Sequence, residues 1–213
     1  MVVRVCERAR ASGALSVTVA TDDERILQAI QSHGHRALMT RNDHPSGTDR
    51  IAEAAAILGL GDEDIVVNVQ GDEPLIAPEV VRDVALTLEN DPKASMSTVC
   101  HPIHDEASLS SPNVVKVVLD AAGYAMYFSR SRIPYPREAG GICYRHPGIY
   151  AYRTEFLKKF STLIPSPLEQ TEALEQLRAL WHGYRIPVFV TELEMPPGVD
   201  TPQDLEAVRR MLA

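Results

Sequence analysis

The chain has 213 residues, 45% of them hydrophobic and 23% charged, which is ordinary for a globular protein of one substantial domain, with or without a smaller appendage. A formal net charge of −8 argues against nucleic-acid binding, which calls for a basic face, but leaves room for a small anion held by a divalent metal or a few local cations. No apolar run is long enough to span a bilayer, no secretory leader is read, and Cys6, Cys100 and Cys143 fit a reducing cytoplasm better than a disulfide framework or a zinc motif.

In chain order, Val2, Val5, Cys6 and Ala9 recur at helical spacing, with Gly13 as a stop. LSVTVAT (15–21) reads as a strand. Asp22 or Asp23 caps a helix carrying Ile26, Leu27 and Ile30, which stops near Gly34. HRALMT (35–40) is a short strand, and Ile51, Ala55 and Leu58 mark another helix. DIVVNVQ (64–70) shows no alternation, the signature of a strand buried on both faces in a parallel sheet. Pro78 suits the first turn of a helix bearing Val80, Val81, Val84 and Leu88. The series is βαβα, so a mostly parallel, doubly wound sheet with helices on both faces is expected.

The rhythm then changes. ASMSTVCHPI (94–103), NVVKVVLD (113–120) and YAMYFSR (124–130) read as strands, the last two joined by a hairpin turn at Gly123. Residues 132–147, rich in Pro, Gly and Arg, read as a mobile loop, and GIYAYR (148–153) as a further strand. SPLEQTEALEQLRALWHG (166–183) opens with Ser-x-x-Glu and Pro167, a strong helix start. RIPVFVTEL (185–193) returns to strand, and TPQDLEAVRRML (201–212) closes as a helix with Thr201 at its N-cap. The expected organisation is an α/β core of residues 1–112 and 166–213, with an antiparallel β-rich insertion at 113–165 serving as substrate lid or dimer surface.

Open α/β sheets bind ligands beyond the C-terminal ends of their strands. NVQGDEPLI (68–76) puts Asp72 and Glu73 at such an end, where Gly71 and Pro74 fix the backbone on both sides. One carboxylate capping the turn and the other solvated is the plain alternative. GVDTPQDLE (198–206) places Asp200 at a second strand end. Two such carboxylates can share one Mg²⁺, which takes a few carboxylates and completes its shell with phosphate oxygens and water. Helix capping is the alternative for Asp200. His101 and His104 flank Pro102 and read as structural.

HPSGTDR (44–50), NVQGDEP (68–74), NVVKVVLD and YFSR (within 113–130), RHPGIYAYR (145–153), SPLEQTEALEQLR (166–178) and GVDTPQDLE (198–206) resemble, in order over essentially the whole chain, the CMP-Kdo synthetases, or 3-deoxy-manno-octulosonate cytidylyltransferases. The resemblance implies transfer of CMP from CTP to the sugar acid Kdo with release of pyrophosphate, for lipopolysaccharide synthesis. The anomeric hydroxyl would attack the α-phosphorus in line, a reaction catalysed mostly by positioning and charge neutralisation. By matching positions, Asp72 and Asp200 would be the catalytic metal ligands for Mg²⁺. Ser46 and Arg50 would help bind CTP, although Ser46 or Thr48 can cap a helix with no nucleotide present. Gln70, Arg130, His146, Tyr150, Glu175 and Gln176 would surround Kdo. A cytoplasmic homodimer is also implied, with no nucleic acid and no membrane as partner. A sister enzyme acting on amino-Kdo or sialic acid, or a non-catalytic sugar-binding relative, is the competing expectation. The family's N-terminal strand and its Pro-Ala-Arg and Pro-Gly-Lys phosphate loop have no counterpart in this stretch. The natural protein is expected to carry them, and this chain alone to be weakly active or inactive.

Overall fold

The computed structural model describes residues 1–213 except Pro45, Ala139, Gly140, Pro197, Asp200 and Ala213, and excepting the side chain of Leu212. The first half alternates as the apolar pattern requires: α1 (Val2–Ala11), β1 (Thr18–Thr21), α2 (Glu24–Ser32), β2 (Arg36–Met39), α3 (Gly47–Ile57), β3 (Ile65–Asn68) and α4 (Pro78–Glu89). Capping sets several of these starts. Asp23 accepts the backbone N–H of Arg25 at the head of α2, Ser46 accepts that of Asp49 at the head of α3, and Pro78 opens α4.

The second half comprises β4 (Met96–Pro102), α5 (Glu106–Ser110), β5 (Lys116–Leu119), β6 (Ala125–Ser129), β7 (Tyr144–Arg145), β8 (Tyr150–Arg153), α6 (Thr154–Phe160), α7 (Pro167–Glu172), α8 (Gln176–Trp181), β9 (Val188–Val190) and α9 (Pro202–Leu212). The short helices α5 and α6 lie outside the sequence expectation.

The α/β class stands, but the strand directions are more mixed than the rhythm suggests. β1 and β2 form a separate parallel pair, and β4 pairs β9 in parallel. β8 inserts antiparallel between β3 and β4. Beyond β4 the order continues through β7 and β5 to β6, every ladder antiparallel. Thus the stretch 113–165 supplies an outer antiparallel ladder and also a strand in the middle of the main sheet. The expected loop at 132–147 contains β7, held by backbone pairing to both β4 and β5.

Alternation along β4 divides the core. Met96 and Cys100 face a cluster with Phe128, Tyr152, Phe156, Phe160, Leu177 and Ile186. Val99 faces the other side, where Ile76, Val80, Val81, Val84 and Leu88 pack with Ile149 and Ala151. The buried stripe of α4 has i, i+4 and i+8 members in Val80, Val84 and Leu88, the spacing that keeps one helical face inward. Each such side chain contributes about 1.5–3 kcal/mol of apolar burial. Leu88 is fully enclosed, so Leu88→Ala would leave a cavity costing about 2–5 kcal/mol. Ser97 on the α4 face donates to the Val84 carbonyl at 2.8 Å, which satisfies its buried hydroxyl.

The expected continuous helix over 166–183 is two short helices. α7 carries a capping box, Ser166 with Glu169, and ends at Ala173, whose φ of 51° lies in the left-handed region. α8 restarts at Gln176.

Candidate active site

A cavity of about 300 Å³ opens where β3, β8, the start of α3 and the α7–α8 elbow meet. Gly47, Thr48, Asn68, Gln70, Tyr150, Tyr152, Glu175 and Gln176 supply most of its polar wall. Four of the expected sugar contacts, Gln70, Tyr150, Glu175 and Gln176, are therefore brought together from three separate stretches of the sequence. Gln70 follows β3, and its amide nitrogen lies beside Gly47, 3.9 Å from where a Cβ would stand. Gln176 is 5% exposed, and its buried Nε2 has no hydrogen-bond partner among the described residues. A buried amide donor left unsatisfied costs about 1–3 kcal/mol, a cost removed when a ligand oxygen meets it.

Thr48 and Tyr152 were not anticipated as cavity residues. Thr48 Oγ1 donates to Glu175 Oε2 at 2.8 Å, and the Tyr152 hydroxyl lies 3.4 Å from Thr48 Oγ1. Burial, with the negative charge of Glu175 nearby, pushes the phenols of Tyr150 and Tyr152 up, so both remain protonated hydroxyls able to donate. The period-2 spacing of Tyr150 and Tyr152 in GIYAYR was the available signal, since it puts both on one face of β8.

His146 and Arg130 are placed differently from the expectation. His146 is buried behind Tyr150, with ring centroids 5.2 Å apart, and its Nε2 is 2.9 Å from Thr98 Oγ1. Burial pushes its pKa down to about 3, so it is neutral and cannot serve there as a cation for a carboxylate. Arg130 directs its guanidinium at three main-chain carbonyls, those of Glu172 at 2.7 Å, Pro112 at 3.1 Å and Ala173 at 3.3 Å. Its own carbonyl accepts from the buried ammonium of Lys116 at 3.0 Å. The Glu172 carboxylate in turn accepts from Ser129 and from the Arg130 backbone N–H. Arg130 thus clamps the end of α7 and positions the elbow that carries Glu175 and Gln176.

Ser46 caps α3 and also donates to the Asp49 carboxylate at 2.7 Å. Arg50 bonds Thr40 at 2.7 Å and Asp22 at 3.0 Å, tying α3 to the ends of β1 and β2. Neither lines the cavity, but their segment borders it through Gly47 and Thr48.

Asp72 and Glu73 sit in the half-buried turn after β3. The 198–199 segment lies against them: Val199 N–H donates to the Asp72 carbonyl at 2.9 Å. A Cβ at Gly198 would stand 3.2 Å from Asp72 Oδ2 and 3.3 Å from Glu73 Oε1, so glycine permits this approach. Asp200 lies outside the described residues. Among the described residues no group of three or more His, Cys, Asp or Glu could hold a metal. The pair Asp72 and Glu73 offers hard oxygen donors on one side only, which fits a Mg²⁺ that keeps water and phosphate oxygens elsewhere in its shell. Cys100 lies in the core with its thiol pushed up to about 12 by burial, far from a reactive thiolate.

A cavity beyond the strand ends of an α/β sheet, with carboxylates in the neighbouring strand-end turn, stands where open α/β sheets bind their ligands, the arrangement a nucleotidyltransferase requires. The sequence model of the cytidylyltransferase family matches residues 1–186, and the chain belongs to that family. It is similar to a solved structure of CMP:2-keto-3-deoxy-manno-octonic acid synthetase complexed with CTP, at 45% identity and a TM-score of 0.91. That match covers 98% of this chain and 86% of the other. No helix among the described residues is long and apolar enough to cross a membrane.

Proposed function

We propose that this enzyme activates Kdo with CTP, giving CMP-Kdo and pyrophosphate for lipopolysaccharide synthesis. The observation that carries the reading is the cavity formed by Gln70, Tyr150, Glu175 and Gln176 in a chain so similar to a CTP-bound synthetase of that sugar acid. Its donors and acceptors suit a polyhydroxylated ligand: two phenols and two amides give hydrogen bonds, and Glu175 accepts them.

The sugar acid would occupy the cavity between Tyr150 and the α7–α8 elbow, with CTP on the side of the SGTDR segment and the 71–74 turn. Gln176 would satisfy its buried amide on a sugar oxygen. The cavity walls would hold the anomeric hydroxyl near the α-phosphorus, so that much of the rate enhancement is positioning. Asp72, with Asp200, would hold a Mg²⁺, which supplies charge neutralisation at the α-phosphate and lowers the pKa of the attacking hydroxyl. Met126 on β6 and Ile142 beside β7, each 63% exposed, support a homodimer through the outer ladder. A cytoplasmic location belongs to the same reading.

The test is pyrophosphate release from the purified natural protein, with this chain assayed beside it, with CTP, Mg²⁺ and a panel of Kdo, amino-Kdo and sialic acid. Release that needs all three components and is fastest with Kdo is expected. Faster release with another sugar acid would reassign the substrate, and no release with any of them would reject the reading.

A further inference from the structure

Thr48 belongs by sequence to the SGTDR segment assigned to the nucleotide, yet its hydroxyl is spent on the other half of the site. Its side chain is 4% exposed, and Oγ1 donates to Glu175 Oε2 at 2.8 Å across 127 residues of sequence. Tyr152, 2% exposed, stands behind it with its hydroxyl 3.4 Å away and completes a chain of hydroxyls leading to the carboxylate. The bond takes Glu175 Oε2, and Glu175 lines the cavity. A glutamate on a short helix-to-helix connection has three free torsions, and a single fixed oxygen removes most of that freedom.

We propose that Thr48 is a positioning residue for the sugar acid: it fixes one oxygen of Glu175 so that the other is presented to a hydroxyl of the ligand. This rests on the reading of the cavity as the sugar-acid pocket. Because Thr48 lies on α3 two residues from Ser46 and from Arg50, it also joins the two substrate sides through one hydrogen bond.

Thr48→Val keeps the side-chain shape and removes the donor. Loss of a hydrogen bond to a charged group is expected to raise KM for the sugar acid about tenfold, with KM for CTP and kcat changed less than about twofold. Thr48→Ser, which keeps the hydroxyl, is expected to restore KM. Thr48→Ala makes the same test if valine is not accepted in the buried position. In a Glu175→Ala background, Thr48→Val should have little further effect on the KM for the sugar acid, since the carboxylate it positions is gone. Equal losses from Thr48→Val with and without Glu175, a rise confined to the KM for CTP, or unchanged KM for both substrates would overturn the proposal. Calorimetric titration of the wild type with Kdo separates the two readings. A wild type that neither binds nor turns over a sugar acid rejects both, whereas an active wild type matched by Thr48→Val rejects this one alone.

Discussion

Glu169 and Arg178 face each other across the break between α7 and α8, with guanidinium Nε 2.8 Å and Nη2 2.5 Å from the two carboxylate oxygens. Both are largely buried, and Arg178 also lies over the Phe160 ring at 4.6 Å from its centroid. The paired, bidentate geometry compensates the desolvation of both charges, and removing one partner leaves the other charge buried alone. Arg178→Met is expected to destabilise the protein by about 3–5 kcal/mol, read from urea unfolding. A loss below about 1 kcal/mol would show that the elbow is held by its apolar contacts instead.

His146 sets a pH dependence of stability. Its folded pKa is depressed from the ordinary imidazole value of 6.5 to about 3 by burial, so the unfolded chain binds a proton that the folded one refuses. Stability from this group is full above about 6.5 and falls as pH drops from there toward 3, with a limiting slope of about 1.4 kcal/mol per pH unit. His146→Gln, which can still bond Thr98, should flatten the curve between pH 6.5 and 4.5 relative to wild type. Parallel curves for the two proteins would contradict the buried, neutral assignment.

Gly198 tests the carboxylate turn. A methyl group at this position presses on Asp72 and Glu73 at 3.2 and 3.3 Å, closer than an ordinary carbon–oxygen contact. Gly198→Ala is expected to lower kcat about tenfold while altering stability by less than about 1 kcal/mol, because the strain falls on a half-buried surface turn. Asp72→Asn, which keeps the shape and loses the charge, should lower kcat more than a hundredfold, in proportion to the charge it is asked to balance. Retained activity in Asp72→Asn would remove this turn from the chemistry.

Arg130 separates clamp from ligand. Its charged bonds to the carbonyls of Glu172, Pro112 and Ala173 predict that Arg130→Gln costs about 2 kcal/mol of stability, with a rise in sugar-acid KM that follows from a loosened elbow. Differential scanning fluorimetry and steady-state kinetics on the same samples decide the matter. A large KM effect with unchanged melting temperature would mean that Arg130 leaves these carbonyls to meet the substrate.

The elements carried by strong periodicity were readable in advance. The stripe of α4 and the cap of α2 are local patterns, and the structure follows them; the strand before the 71–74 turn is present as β3, but half-buried and antiparallel to β8 rather than buried on both faces of a parallel sheet. What was hidden depends on neighbours distant in sequence. Nothing in SPLEQTEALEQLR breaks the helix, as neither Gly nor Pro follows Pro167, yet Ala173 turns left-handed where the Glu169–Arg178 pair and the Arg130 clamp hold the chain. The direction of β8 between β3 and β4 is a topological outcome with no local code. Gln70, Tyr150, Glu175 and Gln176, expected from their motif, line one cavity, whereas Thr48 reads as a cap in the sequence because its partner lies far along the chain, at the start of another helix.

The contact between Thr48 and Glu175 also bears on how the enzyme acquires its activity. A hydrogen bond spanning 127 residues forms only after the intervening loops have closed, and loop closure of this length belongs late in folding. The cavity is therefore unavailable to any partly folded form that has only its local helices and hairpins. During refolding, recovery of sugar-acid binding should coincide with the last tertiary signal, which makes the substrate itself a reporter of completed chain topology.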